Sequence, residues 1–183
     1  MCLNNHVDLM EAFLHRQSTR SGFTNQEISL RDLSIVLWSA NGINRKTGQR
    51  TAPSAMGKYF IGLFIASKEG VYKYEPADNI MKWVSAHHII GRVGRQSDIG
   101  TASHVLIMVA DLRMLPLFMD MPTKLAMANG TAGAIAENVY LAAAALKLGT
   151  RMVAELKESN IREELKLNKD EMPLYIMPLG YGK

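Results

Sequence analysis

The chain has 183 residues, of which 48% are hydrophobic and 21% charged, a composition typical of one globular domain covering residues 1–183. Its net charge of +4 is too small, and its basic residues are too dispersed, to indicate a nucleic-acid partner. The single cysteine, Cys2, excludes an intrachain disulfide framework, and no apolar run approaches the roughly 20 residues that span a membrane. We therefore expect a cytoplasmic protein; a processed envelope lipoprotein with a trimmed N-terminus is the alternative, because Cys2 lies so near the start.

The N-terminal third predicts two helices followed by a long loop. Apolar residues at helical spacing predict a helix over residues 7–15. Ser29 with Asp32 three residues later resembles a capping box, so a second helix is expected to begin there and to end at Gly42. Residues 43–58 lack an apolar period and contain turn formers, which predicts a loop. Long loops inside compact domains often carry function.

The middle third predicts mainly strands. Two apolar runs, at 61–67 and 71–75, are joined by a short turn, which indicates a hairpin with Gly70 at a positive φ. Residues 78–90 are expected to be helical. The continuous apolar run at 104–111 is typical of a buried strand.

The last third predicts a long helix and a closing strand. Residues 131–149 are rich in alanine and apolar on most faces, so this helix should be buried on most faces and should end at Gly149. A strand at 150–154, a charged surface helix at 157–167 and a final strand at 173–180 are expected to follow. Interleaved helices and strands with a hairpin indicate the α+β or α/β class, with a mixed sheet between helices.

Two polar stretches at element boundaries are candidates for ligand binding. In RQSTR, Arg16 and Arg20 flank Ser18, and two guanidinium groups with a hydroxyl can clamp an anion such as phosphate. In RTAPSA, Pro53-Ser54-Ala55 offers an extended backbone, small side chains and free amides, against which a planar ligand can lie. Taken alone, the first stretch reads as solvated charge at a helix end and the second as an ordinary turn. No phosphate-loop, dinucleotide, nucleophile-elbow or zinc pattern is present, so no metal site is predicted.

Taken in order, these motifs resemble the nitroreductase family of flavin enzymes across nearly the whole chain. The matching segments are RQSTRSGF, LSIVLWSANGINRKTGQRTAPSA, GVYKYEP, AGAIAENVYLAAAALKLGT and PLYIMPLGYGK. The combination of NGINR and RTAPSA followed by GVYKYEP is most similar to the SagB-type dehydrogenase branch. The resemblance implies an α+β fold with a central mixed β-sheet flanked by helices, assembled as an intertwined homodimer with FMN at the interface.

The resemblance also implies residues that bind FMN. The family's Arg-x-Ser-x-Arg pattern corresponds to Arg16, Ser18 and Arg20, with Gln17 between them. In the family these residues bind the phosphate, the ribityl chain and part of the ring edge. Pro53-Ser54-Ala55 would pack along the isoalloxazine, often from the partner subunit.

Further cofactor contacts are implied near the C-terminus, with two departures from the family pattern. Val153-Ala154-Glu155 falls where the family places a backbone N–H against flavin N5, and Gly180 to Lys183 fall near further phosphate contacts. Many relatives carry Asn or Gly after the Pro-Ser-Ala stretch, whereas Met56 and Gly57 follow it here. Longer members add basic residues beyond the last strand that reach the partner's phosphate, a contact that here must come from Lys183 or be absent.

The function implied is that of an FMN-dependent oxidoreductase. NADH or NADPH would give a hydride to flavin N5, and a small electron-poor acceptor such as a nitroaromatic or quinone would then be reduced at the same site, with ping-pong kinetics. Because the flavin carries the chemistry, no catalytic residue is assigned. One alternative is a SagB-type azoline dehydrogenase, for which Lys58-Tyr59 is the only nearby candidate base. The other is a non-enzymatic flavin-binding protein in which Met56 closes the pocket.

Overall fold

The computed structural model describes residues 8–20, 22–24 and 26–183. These residues form four α-helices and six strands, connected by loops and short 3₁₀ turns. In chain order the elements are α1 (Leu9–His15), α2 (Leu30–Asn41), β1 (Ile61–Ala66), β2 (Val71–Glu75), β3 (Ile80–Ser85), β4 (His104–Asp111), α3 (Met121–Ala145), β5 (Gly149–Thr150), α4 (Glu158–Leu165) and β6 (Glu171–Gly180).

The six strands form one sheet in the order β3-β2-β1-β4-β6-β5. Every pairing in this sheet is antiparallel. The α+β class is therefore confirmed, whereas the expectation of a mixed sheet is wrong for the described residues. Short turns join β1 to β2 and β2 to β3, and turns this short allow only antiparallel neighbours.

Helices cover both faces of the sheet and bury its central strand. Seven of the eight residues of β4 are buried, as its continuous apolar run predicts. One face of the sheet forms an apolar cluster with α2 and α3. On the other face, α4 contributes Ile161 and Leu165 to a second cluster.

The predicted helix at 78–90 is wrong, because most of this segment forms the edge strand β3 and the turns that flank it. Asn79, at φ 52°, closes the tight turn that leads from β2 into β3. Across the pair, the rings of Tyr72 and Trp83 meet edge to face, with centroids 5.2 Å apart. This non-local pairing decides the conformation of a short amphipathic run whose periodicity fits either element.

The long helix α3 begins ten residues earlier than predicted and ends four residues sooner. Asp120 caps it by accepting the N–H of Thr123 at 2.8 Å, and its last residue is Ala145, so Gly149 belongs to β5 and does not end the helix. The buried residues of α3 lie on the face toward the sheet, and much of the rest of the helix surface is accessible. The prediction that this helix is buried on most faces is therefore wrong. No helix in the described ranges is long and apolar enough to cross a membrane.

The remaining elements follow the predictions with small shifts. Ser29 caps α2 by accepting the N–H of Asp32 at 3.1 Å. Gly42 ends α2 in an extended conformation, and a side chain there is excluded because its Cβ would lie 2.4 Å from the Trp38 ring. Of the strand predicted at 150–154, only the start is paired in β5, followed by a single bridge at Val153.

Candidate functional site

The RQSTR segment follows α1 and lies beside β5. Arg16 ends the helix with its N–H donating to the Ala12 carbonyl at 2.9 Å. Three residues on, the N–H of Thr19 donates to the carbonyl of Thr150 at 2.9 Å. This contact fixes the segment against the sheet edge, while the Gln17, Ser18 and Arg20 side chains are exposed.

Tyr140, on the last turns of α3, joins the predicted phosphate-binding residues. Its hydroxyl lies 3.0 Å from the Ser18 hydroxyl and accepts the N–H of Met152 at 2.8 Å. The guanidinium carbon of Arg16 lies 5.4 Å from the centroid of the Tyr140 ring, within range of a cation–π contact. Tyr140 was not predicted as a site residue. The one available signal was a lone phenol in an otherwise alanine-rich helix.

A cleft of about 590 Å³ opens beside this cluster, between α1, the end of α3 and the start of β5. Gln17, Thr19 and Tyr140 line it together with alanines of α3. Thr150 also lines it, and the hydroxyl of this buried residue has no hydrogen-bond partner in the described chain. Buried polar atoms are almost always paired, so this hydroxyl is an exception, although its oxygen is not itself open to the cleft. The volume of the cleft is within the range of small-ligand sites.

The Pro53-Ser54-Ala55 loop is held against a different part of α3. The Ala55 N–H donates to the Thr131 hydroxyl at 3.3 Å, and Ser54 Oγ accepts the N–H of Tyr59 at 3.2 Å. Met56 follows in the left-handed region, at φ 55°, with an exposed side chain. The loop lines its own groove of about 370 Å³ on α3.

This groove shares no lining residue with the cleft. Thr131 and Tyr140 are nine residues apart on one helix, which corresponds to about 14 Å. Within one copy of the chain, the loop and the RQSTR segment therefore line separate cavities.

The segment predicted to face flavin N5 has one amide committed to the sheet. The N–H of Val153 donates to the Ile176 carbonyl at 2.9 Å, so it is not available to a ligand. Ala154 and Glu155 are exposed, and within the described ranges neither backbone N–H has an acceptor. The prediction of a backbone donor thus narrows to Ala154 and Glu155.

The C-terminal candidates occupy different environments. Gly180 is buried at the end of β6, where a Cβ would lie 2.9 Å from the Phe23 ring. It pairs with Gly149 across the β5–β6 ladder and does not line the cleft. Lys183 is exposed, and its N–H donates to the Gly22 carbonyl at 3.4 Å. Whether either residue meets a cofactor stays a prediction.

The ion pair between Arg151 and Asp98 contacts the backbone of the RQSTR segment. Arg151 forms two hydrogen bonds to Asp98, at 2.6 and 2.8 Å, and a third to the Thr19 carbonyl at 2.9 Å. The hydrogen bonds from Arg151 hold the pKa of the Asp98 carboxyl below its ordinary value, so this carboxylate is ionised at neutral pH. Neither residue was predicted, because they come together only through the fold.

Comparison with known proteins places the chain in a class. Residues 14–181 match the nitroreductase family. The chain therefore belongs to the nitroreductase family, whose members are flavin-dependent oxidoreductases. The family resemblance indicated by its motifs is confirmed, whereas the SagB-type branch stays a prediction.

Individual relatives agree with this assignment. The chain is 31% identical over 185 residues to a Methanocaldococcus jannaschii protein whose name assigns it provisionally to the nitroreductases, covering 95% of this chain and 91% of that protein. A crystal structure from Ralstonia eutropha JMP134, similarly described, superposes with a TM-score of 0.92 at 32% identity, covering 100% of this chain and 87% of that one. The Escherichia coli microcin synthetase McbBCD complex superposes at 0.79 and 19% identity, over 92% of this chain and 70% of that chain, a likeness of fold alone.

Proposed function

We propose that the protein is an FMN-dependent NAD(P)H oxidoreductase that reduces small electron-poor acceptors such as nitroaromatics or quinones. The observation that carries this proposal is the cluster of Arg16, Ser18 and Tyr140 beside a cleft of about 590 Å³. When bound, FMN would supply hydride acceptance and donation at flavin N5. The chain's own residues would bind it, orient it and stabilise its charge.

The hydrogen bonds around Tyr140 allow Ser18 to donate to an anion. The phenol oxygen accepts the Met152 N–H, and its own proton can then be donated to Ser18 Oγ. The Ser18 proton is then free to point outward to a phosphate oxygen. Arg20 is exposed and forms no hydrogen bond or ion pair with any residue that the structure describes, so its guanidinium can add a charge-assisted bond.

The separation of the two cavities supports a site built from two copies of the chain. One FMN molecule can have its phosphate at Arg16 and Arg20 and its ring against Pro53-Ser54-Ala55 if this loop comes from the partner subunit. The α1 helix also presents Leu14 and Met10 at 82% and 67% exposure, an apolar surface that a second copy would cover. We therefore propose a homodimer with FMN at the interface.

The amides of Ala154 and Glu155, two exposed residues, are the proposed hydrogen-bond donors to the flavin ring. Backbone donors held in place can stabilise developing negative charge without reorganisation during the reaction. No side chain is assigned as a general acid or base. Donor and acceptor would use one site in turn, which predicts parallel double-reciprocal plots.

The direct test is the visible spectrum of the purified protein before and after anaerobic NADH or NADPH. We expect a yellow protein that bleaches with one of the two donors. A colourless protein that takes up no added FMN would refute the proposal, and a yellow protein that neither donor bleaches would indicate a non-enzymatic flavin-binding protein. In the double variant Arg16→Ala, Arg20→Ala, FMN retention should fall markedly, because charge-assisted hydrogen bonds contribute roughly 1.5–3 kcal/mol each. Arg31→Ala, on the exposed first turn of α2, is the control.

A SagB-type azoline dehydrogenase is the second candidate. The motif order favours this branch, and Lys58 is exposed next to the Pro53-Ser54-Ala55 loop. The ring of Tyr59 faces the Arg50 guanidinium at 5.0 Å, and its hydroxyl already accepts the backbone N–H of Arg50 at 3.4 Å. Lys58 is therefore the residue to test first. If this candidate is right, Lys58→Ala abolishes oxidation of an azoline peptide while leaving bleaching by NAD(P)H unchanged.

A further inference from the structure

Arg151 lies directly after β5 with a side chain that is only 12% exposed. Its guanidinium makes a two-point contact with the Asp98 carboxylate and also donates from Nη1 to the Thr19 carbonyl. The planar fork of arginine suits this arrangement, because several donors leave one rigid group in fixed directions. Lysine, with a single ammonium on a flexible stem, cannot reproduce it.

Thr19 is the residue that this contact holds. Its carbonyl is bound by Arg151, and its N–H is bound by the carbonyl of Thr150. Both backbone polar groups at the centre of the segment are therefore fixed. Ser18 and Arg20, the two residues on either side, follow the orientation that Thr19 imposes.

Asp98 is also held in place by hydrogen bonds of its own turn. Asp98 lies in the 3₁₀ turn Ser97–Thr101, where the Thr101 hydroxyl donates to the Asp98 carbonyl at 2.7 Å. The same hydroxyl accepts the N–H of Phe23 at 3.0 Å. One turn of the chain thus anchors the RQSTR segment at Thr19 and the residues that follow it at Phe23.

We propose that Arg151 is a positioning residue for cofactor binding, which, held by Asp98, sets the Thr19 carbonyl and so presents Ser18 and Arg20 to the phosphate of FMN. The inference rests on the proposed function. In this proposal Arg151 acts through the Thr19 carbonyl and not by binding the phosphate itself. Its effect is to hold an exposed segment in the binding conformation before the ligand arrives, which lowers the entropic cost of binding.

The selective readout is the affinity for FMN compared with that for riboflavin, which has the same ring and ribityl chain and no phosphate. In Arg151→Met, FMN affinity should fall by about tenfold, the effect of ordering one or two side chains, while riboflavin affinity, which has no phosphate contact to lose, should fall by much less. Arg151→Lys should not restore FMN affinity. Asp98→Asn keeps the side-chain shape and should give a smaller loss in the same direction.

The matched control is Arg162→Met. Arg162 also pairs with a carboxylate, Glu158 at 2.7 Å, and donates to a backbone carbonyl, Asn168 at 3.2 Å, but it lies on α4 away from the cleft. It should leave both affinities unchanged. The melting temperature of each variant without ligand separates altered binding from general instability.

The outcomes distinguish the two proposals. If the wild-type protein binds no FMN, the proposed function fails. If it binds FMN and Arg151→Met lowers FMN and riboflavin affinity equally, or lowers neither, the positioning role is refuted and the proposed function stands. If Arg151→Met does not fold, Asp98→Asn provides the test. An FMN-to-riboflavin affinity ratio in Asp98→Asn equal to that of the wild type would also refute the positioning role of Arg151.

Discussion

Replacing Tyr140 by phenylalanine removes one oxygen from the centre of the candidate site. That oxygen accepts the Met152 N–H at 2.8 Å and lies 3.0 Å from the Ser18 hydroxyl. The ring remains, so the face that meets the Arg16 guanidinium at 5.4 Å is retained. The variant therefore tests the hydrogen bonds separately from the packing of α3.

The size of the effect follows from the exposure of the two partners. Met152 is half-buried, and its N–H loses its acceptor; a buried donor left unpaired costs about 1–3 kcal/mol. Ser18 is exposed, and water can replace the lost contact at little cost. We expect a destabilisation of about 1–3 kcal/mol, which for a chain of this size lowers the melting temperature by about 2–4 °C per kcal/mol.

The assay is urea unfolding of ligand-free protein at one fixed concentration, because bound cofactor and subunit association both shift apparent stability. Tyr175→Phe is the control. Its hydroxyl meets the Asn129 side chain at 3.2 Å on the exposed surface, so its loss should cost less than about 0.5 kcal/mol. A Tyr140→Phe variant as stable as wild type, or a control that is equally destabilised, would show that Tyr140 does not organise the site.

Two further predictions concern stability. Gly70→Ala should destabilise by at least about 2 kcal/mol in urea unfolding, because its Cβ would lie 2.2 Å from the Ser85 carbonyl oxygen at a φ of 151°. Gly91→Ala, whose Cβ meets only ordinary contacts, should cost far less. Burial lowers the pKa of His104 in the folded protein. As the pH falls below about 6.5, the ordinary pKa of histidine, this residue is protonated in the unfolded chain before it is protonated in the folded one. The free energy of unfolding should therefore decrease as the pH falls from about 6.5 to the lowered pKa. Between about pH 7.5 and 5, the free energy of unfolding of His104→Asn should change less with pH than that of the wild type. His88→Asn, which alters an exposed histidine, should behave like the wild type. The same pH dependence in the wild type and His104→Asn would contradict the prediction.

Most elements of the fold were predictable because their signals are local. The cap at Ser29, the hairpin turn at Gly70 and the continuous apolar run of β4 each depend on neighbouring residues alone. Two of the failures, β3 and the early start of α3, have different causes. β3 is a strand because the distant strand β2 pairs with it. The start of α3 at Met121 is set locally, by the Asp120 cap with Pro122 in the first turn, a signal that the sequence carried and the prediction missed.

In the candidate site, too, some residues could be predicted from the sequence and others could not. Arg16, Ser18, Arg20 and Pro53-Ser54-Ala55 could be selected from order and spacing. Their supports could not: Ser18 meets Tyr140 122 residues further along the chain. No local pattern encodes a contact at that separation.

By itself, the sequence determined the family and the chemical groups available for binding, since motif order and side-chain chemistry are written along the chain. Only the tertiary structure decided which of those groups remain free to bind. The amide of Val153 donates to Ile176, whereas the exposed residues Ala154 and Glu155 have amides with no acceptor among the described residues. The reason is physical: a backbone amide is the same in every residue, and only the strand that comes to lie beside it determines whether its hydrogen bond is already made.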